Sequence, residues 1–250
     1  MGKNNGIFQR TEKKYQLTEE QYRTFLERVE DRIRQDEFGV HMISNIYYDT
    51  DDYELIRHSI ESPRYKEKFR VRGYGEIQSD SMIYLELKKK VQGMVYKRRV
   101  ELPYKQAKRY LGNGVYPDGD TQILKEIQYF LGYYKPVPKL YLAYDRTAYE
   151  GIEDSSLRIT IDQNIRSRNY DLDLTCGDKG TVLDSISYLM EIKVQKAYPL
   201  WLSRLLSELE IYPASFSKYG TIYKEFIVND RLGQTEEREE NLCLQAYLIV

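Results

Sequence analysis

From residue 64 to 72 a cation stands at every second position, and shorter alternating runs follow up to residue 102. Successive side chains of a β-strand point to opposite faces. Lys66, Lys68, Arg70, Arg72 and Tyr74 therefore share one face of a strand over Arg64–Gly75. In the following stretch Glu86, Lys88 and Lys90 share a face, against Ile83, Leu85 and Leu87 on the other. Lys97, Arg99 and Glu101 oppose Tyr96, Val100 and Leu102. The pattern returns with Arg158, Thr160, Asp162 and Asn164 against Leu157, Ile159, Ile161 and Ile165, and with Glu191 and Lys193 against Met190, Ile192 and Val194. Arg10, Glu12 and Lys14 alternate in the same way. One strand of this kind describes an ordinary antiparallel sheet with one wet face. Six of them, with helices available to cover the apolar side, describe a sheet whose polar faces line a lumen once it curls shut. Such a lumen repels itself unless anions fill it, and a chain of phosphates supplies them: Arg offers bidentate geometry to phosphate oxygens and Lys a compact charge. The interleaved carboxylates Glu12, Glu86, Glu101 and Glu191 have two available roles. They pair with neighbouring cations, or one or two of them hold a divalent cation that bridges phosphate and protein.

The elements that must position these residues follow from periodicity and turn chemistry. Strands are expected over Phe8–Leu17, Met42–Asp49, Arg64–Gly75, Met82–Lys90, Met94–Leu102, Pro138–Tyr149, Ser156–Arg166 and Ile186–Gln195. Val91-Gln92-Gly93 makes a hairpin turn, and a second turn falls around Gly151. Thr18 with Gln21 forms a capping box that opens a helix expected to reach Arg34. Further helical segments are Asp51–Ser59, the stretch after Pro103, Asp120–Leu131, Leu200–Leu209 and Lys218–Val228. Antiparallel strands with inserted helices give an α+β fold: a closed antiparallel β-barrel tunnel with helices packed on the outside. Residues 1–232 form a single domain, and 233–250 a tail that is first charged (Thr235–Asn241) and then apolar (Leu242–Val250).

Composition excludes several classes. The 38 Lys and Arg against 39 Asp and Glu give a net charge of −1, unlike a bulk nucleic-acid binder, so an anion site has to come from local concentration of cations. Two cysteines, Cys176 and Cys243, are too few for a disulfide framework or a zinc cluster. No secretory leader and no apolar run of about 18 residues is present, which points to a cytoplasmic protein. The 25 tyrosines suit strands. His41 and His58 are the only histidines and no catalytic triad is visible.

Read together, these segments resemble the VTC domain, the polyphosphate polymerase module of the vacuolar transporter chaperone family, within the triphosphate tunnel metalloenzyme (CYTH-like) superfamily. The likeness runs from about Phe8 to Phe226. It rests on Arg10-Thr-Glu12-Lys-Lys14-Tyr15, Ile46-Tyr-Tyr-Asp49-Thr50, Phe69-Arg70-Val-Arg72-Gly-Tyr-Gly75 and Leu85-Glu86-Leu-Lys88 with Lys97 beyond it. It continues in Tyr144-Asp-Arg146-Thr147-Ala148-Tyr149, Leu157-Arg158-Ile-Thr-Ile-Asp162, Leu189-Met-Glu191-Ile-Lys193 and Phe216-Ser217-Lys218-Tyr219.

The resemblance implies roles. Lys14, Arg70, Arg72, Lys88, Arg146 and Arg158 would act on the transferred phosphates. Arg10, Lys97, Arg99, Lys193, Ser217 and Lys218 would complete the phosphate cradle, and Glu191, with Glu12, would hold Mn²⁺ or Mg²⁺. The implied reaction moves the γ-phosphate of ATP onto inorganic polyphosphate or pyrophosphate and releases ADP. The wider superfamily opens with Glu-x-Glu-x-Lys. Arg10 stands where its first Glu would be, which favours the VTC-like subgroup over a triphosphate hydrolase. Two alternatives stand beside the polymerase: a tunnel hydrolase of tripolyphosphate or nucleoside triphosphates, and a non-catalytic polyphosphate or nucleotide sensor. The eukaryotic complex also carries membrane-spanning segments, so a membrane-protein partner is an open expectation.

Overall fold

Eight strands form one continuous antiparallel ladder, and its register decides which side chains meet. In chain order the strands are β1 (Thr11–Leu17), β2 (Ile33–Gln35), β3 (His41–Asp49), β4 (Tyr65–Tyr74), β5 (Met82–Val91), β6 (Met94–Pro103), β7 (Val137–Gly151), β8 (Arg158–Arg168), β9 (Thr181–Val182) and β10 (Tyr188–Val194). The ladder runs β1-β10-β8-β7-β3-β4-β5-β6, with short β2 added to β7 and β9 to β8. The helices are α1 (Glu19–Val29), α2 (Glu54–Ile60), α3 (Tyr104–Asn113), α4 (Gln122–Tyr134), α5 (Leu200–Glu208) and α6 (Lys218–Ile222). The last runs on into a π-helical turn, Tyr223–Val228. This computed structural model describes residues 11–117, 119, 121–195 and 197–228. Arg10, the charged stretch and the apolar tail lie outside the described residues.

The apolar side of the alternation is buried under helices, which leaves the charged side facing inward. Phe69, Val71, Leu85 and Leu87 pack with Ile127 and Phe130 of α4 and Ala107 and Tyr110 of α3. At the other end Ile159, Ile161, Met190 and Ile192 pack with Phe25 and Val29 of α1 and Leu202, Leu205 and Leu206 of α5. Burying side chains of this size stabilises the fold by roughly 1.5–3 kcal/mol each. A third cluster lies on the inner face: Ile43, Tyr47, Leu140, Leu142, Tyr144 and Leu189 are covered by Tyr219, Ile222, Tyr223 and Ile227. Thus α6 and its π-helical turn close off one end of the concave side, a position that sequence periodicity did not reveal.

Two expectations are corrected. The sheet is a curled, open half-barrel rather than a closed one: among the described residues β1 pairs with β10 and β6 with β5, and these two edges do not pair with each other. The reason is local. The segment after α5 takes the outer edge of β1, where Ala214 N donates to Lys14 O at 2.7 Å and Pro213 bridges Tyr15. Pro213 has no N–H with which to extend that pairing. The first helix also stops at Val29, short of Arg34. Arg32 N donates to Val29 O at 2.9 Å, and Ile33 then buries its side chain in β2 while pairing with Gly151. Both expected turns are present. At Gly151 a Cβ would stand 2.5 Å from Asp154 O, so only glycine fits there.

Candidate functional site

Register places the inward residues of all eight ladder strands on one concave surface. Lys14 pairs with Glu191 and Glu12 with Lys193 across β1 and β10. Glu191 pairs with Thr160, Lys193 with Arg158, and Arg146 with Asp162. Beyond β3, Tyr47 pairs with Arg70 and Asn45 with Arg72, Arg70 with Glu86 and Lys68 with Lys88, and Glu86 with Arg99 and Lys88 with Lys97. Of the predicted residues, Lys14, Arg70, Arg72, Lys88, Lys97, Arg99, Arg146, Arg158, Glu12, Glu191 and Lys193 therefore share one surface. Ser217 and Lys218 reach it from the start of α6.

Two buried carboxylates organise the cations. Asp162 accepts from Arg146 Nε at 2.6 Å and Nη2 at 2.8 Å, and from the Lys218 ammonium. Burial opposes ionisation of Asp162, but Lys218 and Arg146 outweigh it and hold the carboxyl well below the usual carboxylate range. Glu86 receives Arg70 Nη2 at 2.7 Å and Lys97 at 2.8 Å, with Arg99 and Arg72 at 3.6 and 3.7 Å. Here too burial opposes ionisation, and the Arg70, Arg72 and Lys97 charges bring its pKa down to about 2. Both carboxylates are thus fixed counter-ions with little basicity.

Other groups aim the cations. Arg70 Nη1 donates to Tyr47 Oη at 2.9 Å. Arg72 donates to Asn45 Oδ1 at 3.0 Å and to Tyr144 Oη at 3.3 Å. Lys14 Nζ donates to Phe216 O at 3.2 Å. Among the described residues no carboxylate comes within ion-pair distance, 4.0 Å, of Lys14, Lys68 or Lys88. Arg158 sits at the rim, exposed and paired to Glu150 at 2.9 Å.

Lys68, which has no assigned role in the sequence motifs, belongs to the centre of this surface. Its ammonium donates to Ser217 Oγ at 2.9 Å. Burial, with Lys66, Lys88 and Lys14 nearby and Tyr47 partly compensating, lowers its pKa to about 8. Its alternation with Arg70 and Arg72 was the signal that could have found it. The sign of the pH effect follows. Lys68 is protonated below about pH 8 and loses its charge above it, so affinity for a polyanion should fall as pH rises from 7 to 9.5. With the folded pKa below the unfolded value, the stability cost of charging Lys68 is full below about pH 8 and is relieved as pH rises toward the unfolded value. Titrating tripolyphosphate into wild type and Lys68→Met across that range checks this, since the variant should bind more weakly and lose this component of the pH dependence.

Asp49 is the second residue that the motifs left without a role. Fully buried, its carboxylate accepts from Thr50 N, Leu55 N, Ile56 N and Tyr219 Oη at 2.9 to 3.0 Å. It caps α2 and also anchors Tyr219, which directly follows Ser217 and Lys218. Ser217 in turn caps α6 through Gly220 N at 3.3 Å. Asp49→Ala should cost about 2–4 kcal/mol in urea denaturation, the sum of a lost cap and buried donors left unpaired. Tyr219→Phe should cost about 1 kcal/mol.

For a divalent ion the donors are Glu191 and Glu12, on adjacent strands and the same face. Glu191 is in close contact with the Lys193 ammonium, which also lies 4.0 Å from Glu12. Burial opposes ionisation of Glu191, and Lys193, Lys14 and Arg146 lower its pKa all the same. Among the described residues no group of three or more His, Cys, Asp or Glu is placed to hold a metal. One or two carboxylates fit an octahedral Mg²⁺-type ion that completes its shell with phosphate oxygens and water. The arrangement thus suits an ion arriving with a phosphate ligand. No helix among the described residues is long and apolar enough to cross a membrane.

Comparison with known proteins agrees with this geometry. Two of the solved structures that share the fold serve as examples. One is a candidate adenylate cyclase from Bacillus halodurans, with a TM-score of 0.53 and 16% identity over 86% of this chain and 96% of that one. The other is a candidate adenylyl cyclase from Hippeastrum with a dominant triphosphatase activity, with a TM-score of 0.53 and 15% identity over 86% of this chain and 95% of that one. At such identities the likeness is one of fold. No curated protein matches the chain in sequence. The VTC domain family model matches residues 9–227, a span that holds all of the cationic concave surface described here, and the chain belongs to the VTC domain family.

Proposed function

We propose that the chain is a polyphosphate polymerase that moves the γ-phosphate of ATP onto the end of inorganic polyphosphate or pyrophosphate, with Mn²⁺ or Mg²⁺. The observation that supports this most is the convergence of Arg70, Arg72, Arg146, Lys68, Lys88 and Lys218 on one concave surface whose buried carboxylates are already saturated by cations. Phosphoryl transfer proceeds through a loose transition state with charge spread over the phosphate oxygens, so positioning and charge neutralisation supply most of the catalysis. Arg70, Arg72 and Arg146, aimed by Tyr47, Asn45, Tyr144 and Asp162, would hold the donor phosphates. Lys68, Lys14 and Lys218 would take the charge that develops between donor and acceptor. A divalent ion at Glu191 and Glu12 would neutralise phosphate oxygens and help to align the two chains.

The acceptor is itself a phosphate anion and needs no general base. Hydrolysis would require water to be activated by the metal, since Glu86 and Asp162 are held too acidic to act as bases. Arg10, standing where the superfamily's first metal-binding Glu would be, is what favours chain growth over a hydrolase. Incubation with ATP, pyrophosphate and Mn²⁺ or Mg²⁺, followed by sizing of the products, tests the proposal. Acid-labile polymer with equimolar ADP is expected, and Glu191→Gln should lower the rate at least 100-fold, the scale of a lost charge-stabilising group. Orthophosphate without polymer would select the hydrolase. Binding without turnover under either metal would select a sensor.

A further inference from the structure

At the rim of the concave surface, next to Arg72 and Arg146, stands a group of aromatic rings that the phosphate chemistry does not use. His41 is the β3 partner of Arg146. Its ring lies 6.4 Å from that of Tyr74 and 6.2 Å from that of Phe38. Tyr74 follows Arg72 by two positions on the same face of β4, about 7 Å along the strand. Phe38 is 69% exposed and Tyr74 40%. Phe38 is held out on a tight turn: its N–H donates to Asp36 Oδ1 at 3.2 Å, and Asp36 N is tied to Ala148 O of β7 at 2.9 Å. Behind the group, the Arg99 guanidinium covers the Tyr84 ring at 3.4 Å and donates to Tyr74 Oη at 3.2 Å, which fixes the Tyr74 ring. Large rings presented to water from a rigid turn and a strand, beside cations that would hold phosphates, are what a planar heterocycle joined to a phosphate chain requires. Aromatic stacking accepts any base because every base has a π-face.

We propose that Phe38, His41 and Tyr74 form a stacking site for the base of a nucleotide whose phosphates lie on the cationic surface. The site would then bind a nucleoside triphosphate more tightly than bare tripolyphosphate, with little selection among bases. This rests on the phosphate-binding reading above.

The experiment is calorimetric titration of ATP, GTP and inorganic tripolyphosphate, each with Mg²⁺, into wild type, Phe38→Ala and Tyr74→Leu. Phe38 is exposed, so its replacement should leave the fold intact, as the thermal transition will show. Each substitution should weaken ATP and GTP binding about fivefold or more, the loss expected for one stacking partner. Phe38→Ala should leave tripolyphosphate affinity unchanged, and Tyr74→Leu, which also frees Arg99, should cost tripolyphosphate less than it costs ATP. Unchanged ATP affinity in both variants, or equal losses for ATP and tripolyphosphate, would overturn the stacking site while leaving the phosphate site standing. Wild-type protein that binds none of the three would overturn both.

Discussion

Arg70→Ala should weaken tripolyphosphate binding by about 100-fold or more, whereas Arg98→Ala should leave it within about threefold. The first figure is the usual loss when one partner of a hydrogen-bonded charge contact in a shielded site is truncated. The second reflects an exposed ion pair. Arg98 is a fair control because it directly precedes Arg99 on β6 yet points to the opposite face, where it pairs with Glu126 at 2.9 Å. Arg70→Ala should cost only about 1–2 kcal/mol of stability, since Glu86 keeps Lys97 at 2.8 Å and Arg99 and Arg72 within 3.7 Å. Calorimetric titration with a thermal scan of each variant measures both quantities. Equal losses of affinity in the two variants would show that strand parity, and with it the concave surface, does not govern anion binding.

Asp162→Ala should be the most destabilising single change at the site, by about 3–5 kcal/mol, because it strands two buried cations. The side chains of Arg146 and Lys218 are only 18% and 13% exposed. An anion that replaces the lost carboxylate should restore part of this. Tripolyphosphate should therefore raise the urea midpoint of Asp162→Ala more than that of wild type at equal ligand concentration, through tighter binding to the variant. A ligand effect no larger in the variant would mean that phosphates do not approach Arg146 and Lys218.

Much of this was legible before any coordinates. Period-two alternation carried the strands and put Arg70, Arg72, Lys88, Arg158 and Glu191 on the polar faces of theirs, because a residue's face in a strand is set by parity alone. Motif order added Ser217 and Lys218, which no local pattern would have joined to β4 and β8. Closure of the barrel could not be read, because it depends on what reaches the two edge strands. Here Ala214 takes the edge of β1, a contact some 200 residues apart in sequence. The helix-to-strand switch at Ile33 was hidden because a three-residue strand has no periodicity of its own. The anchoring roles of Asp49 and Asp162 were hidden for a related reason: sequence shows which residues carry charge, but not which carboxylate the fold surrounds with donors.

A crystal soaked with tripolyphosphate and Mn²⁺ tests the central claim most directly. Phosphorus positions are expected in contact with Arg70, Arg72, Arg146 and Lys218 on the concave surface, with anomalous density for the metal beside Glu191. Phosphate density confined to the helix-covered outer face, with those four cations untouched, would contradict it.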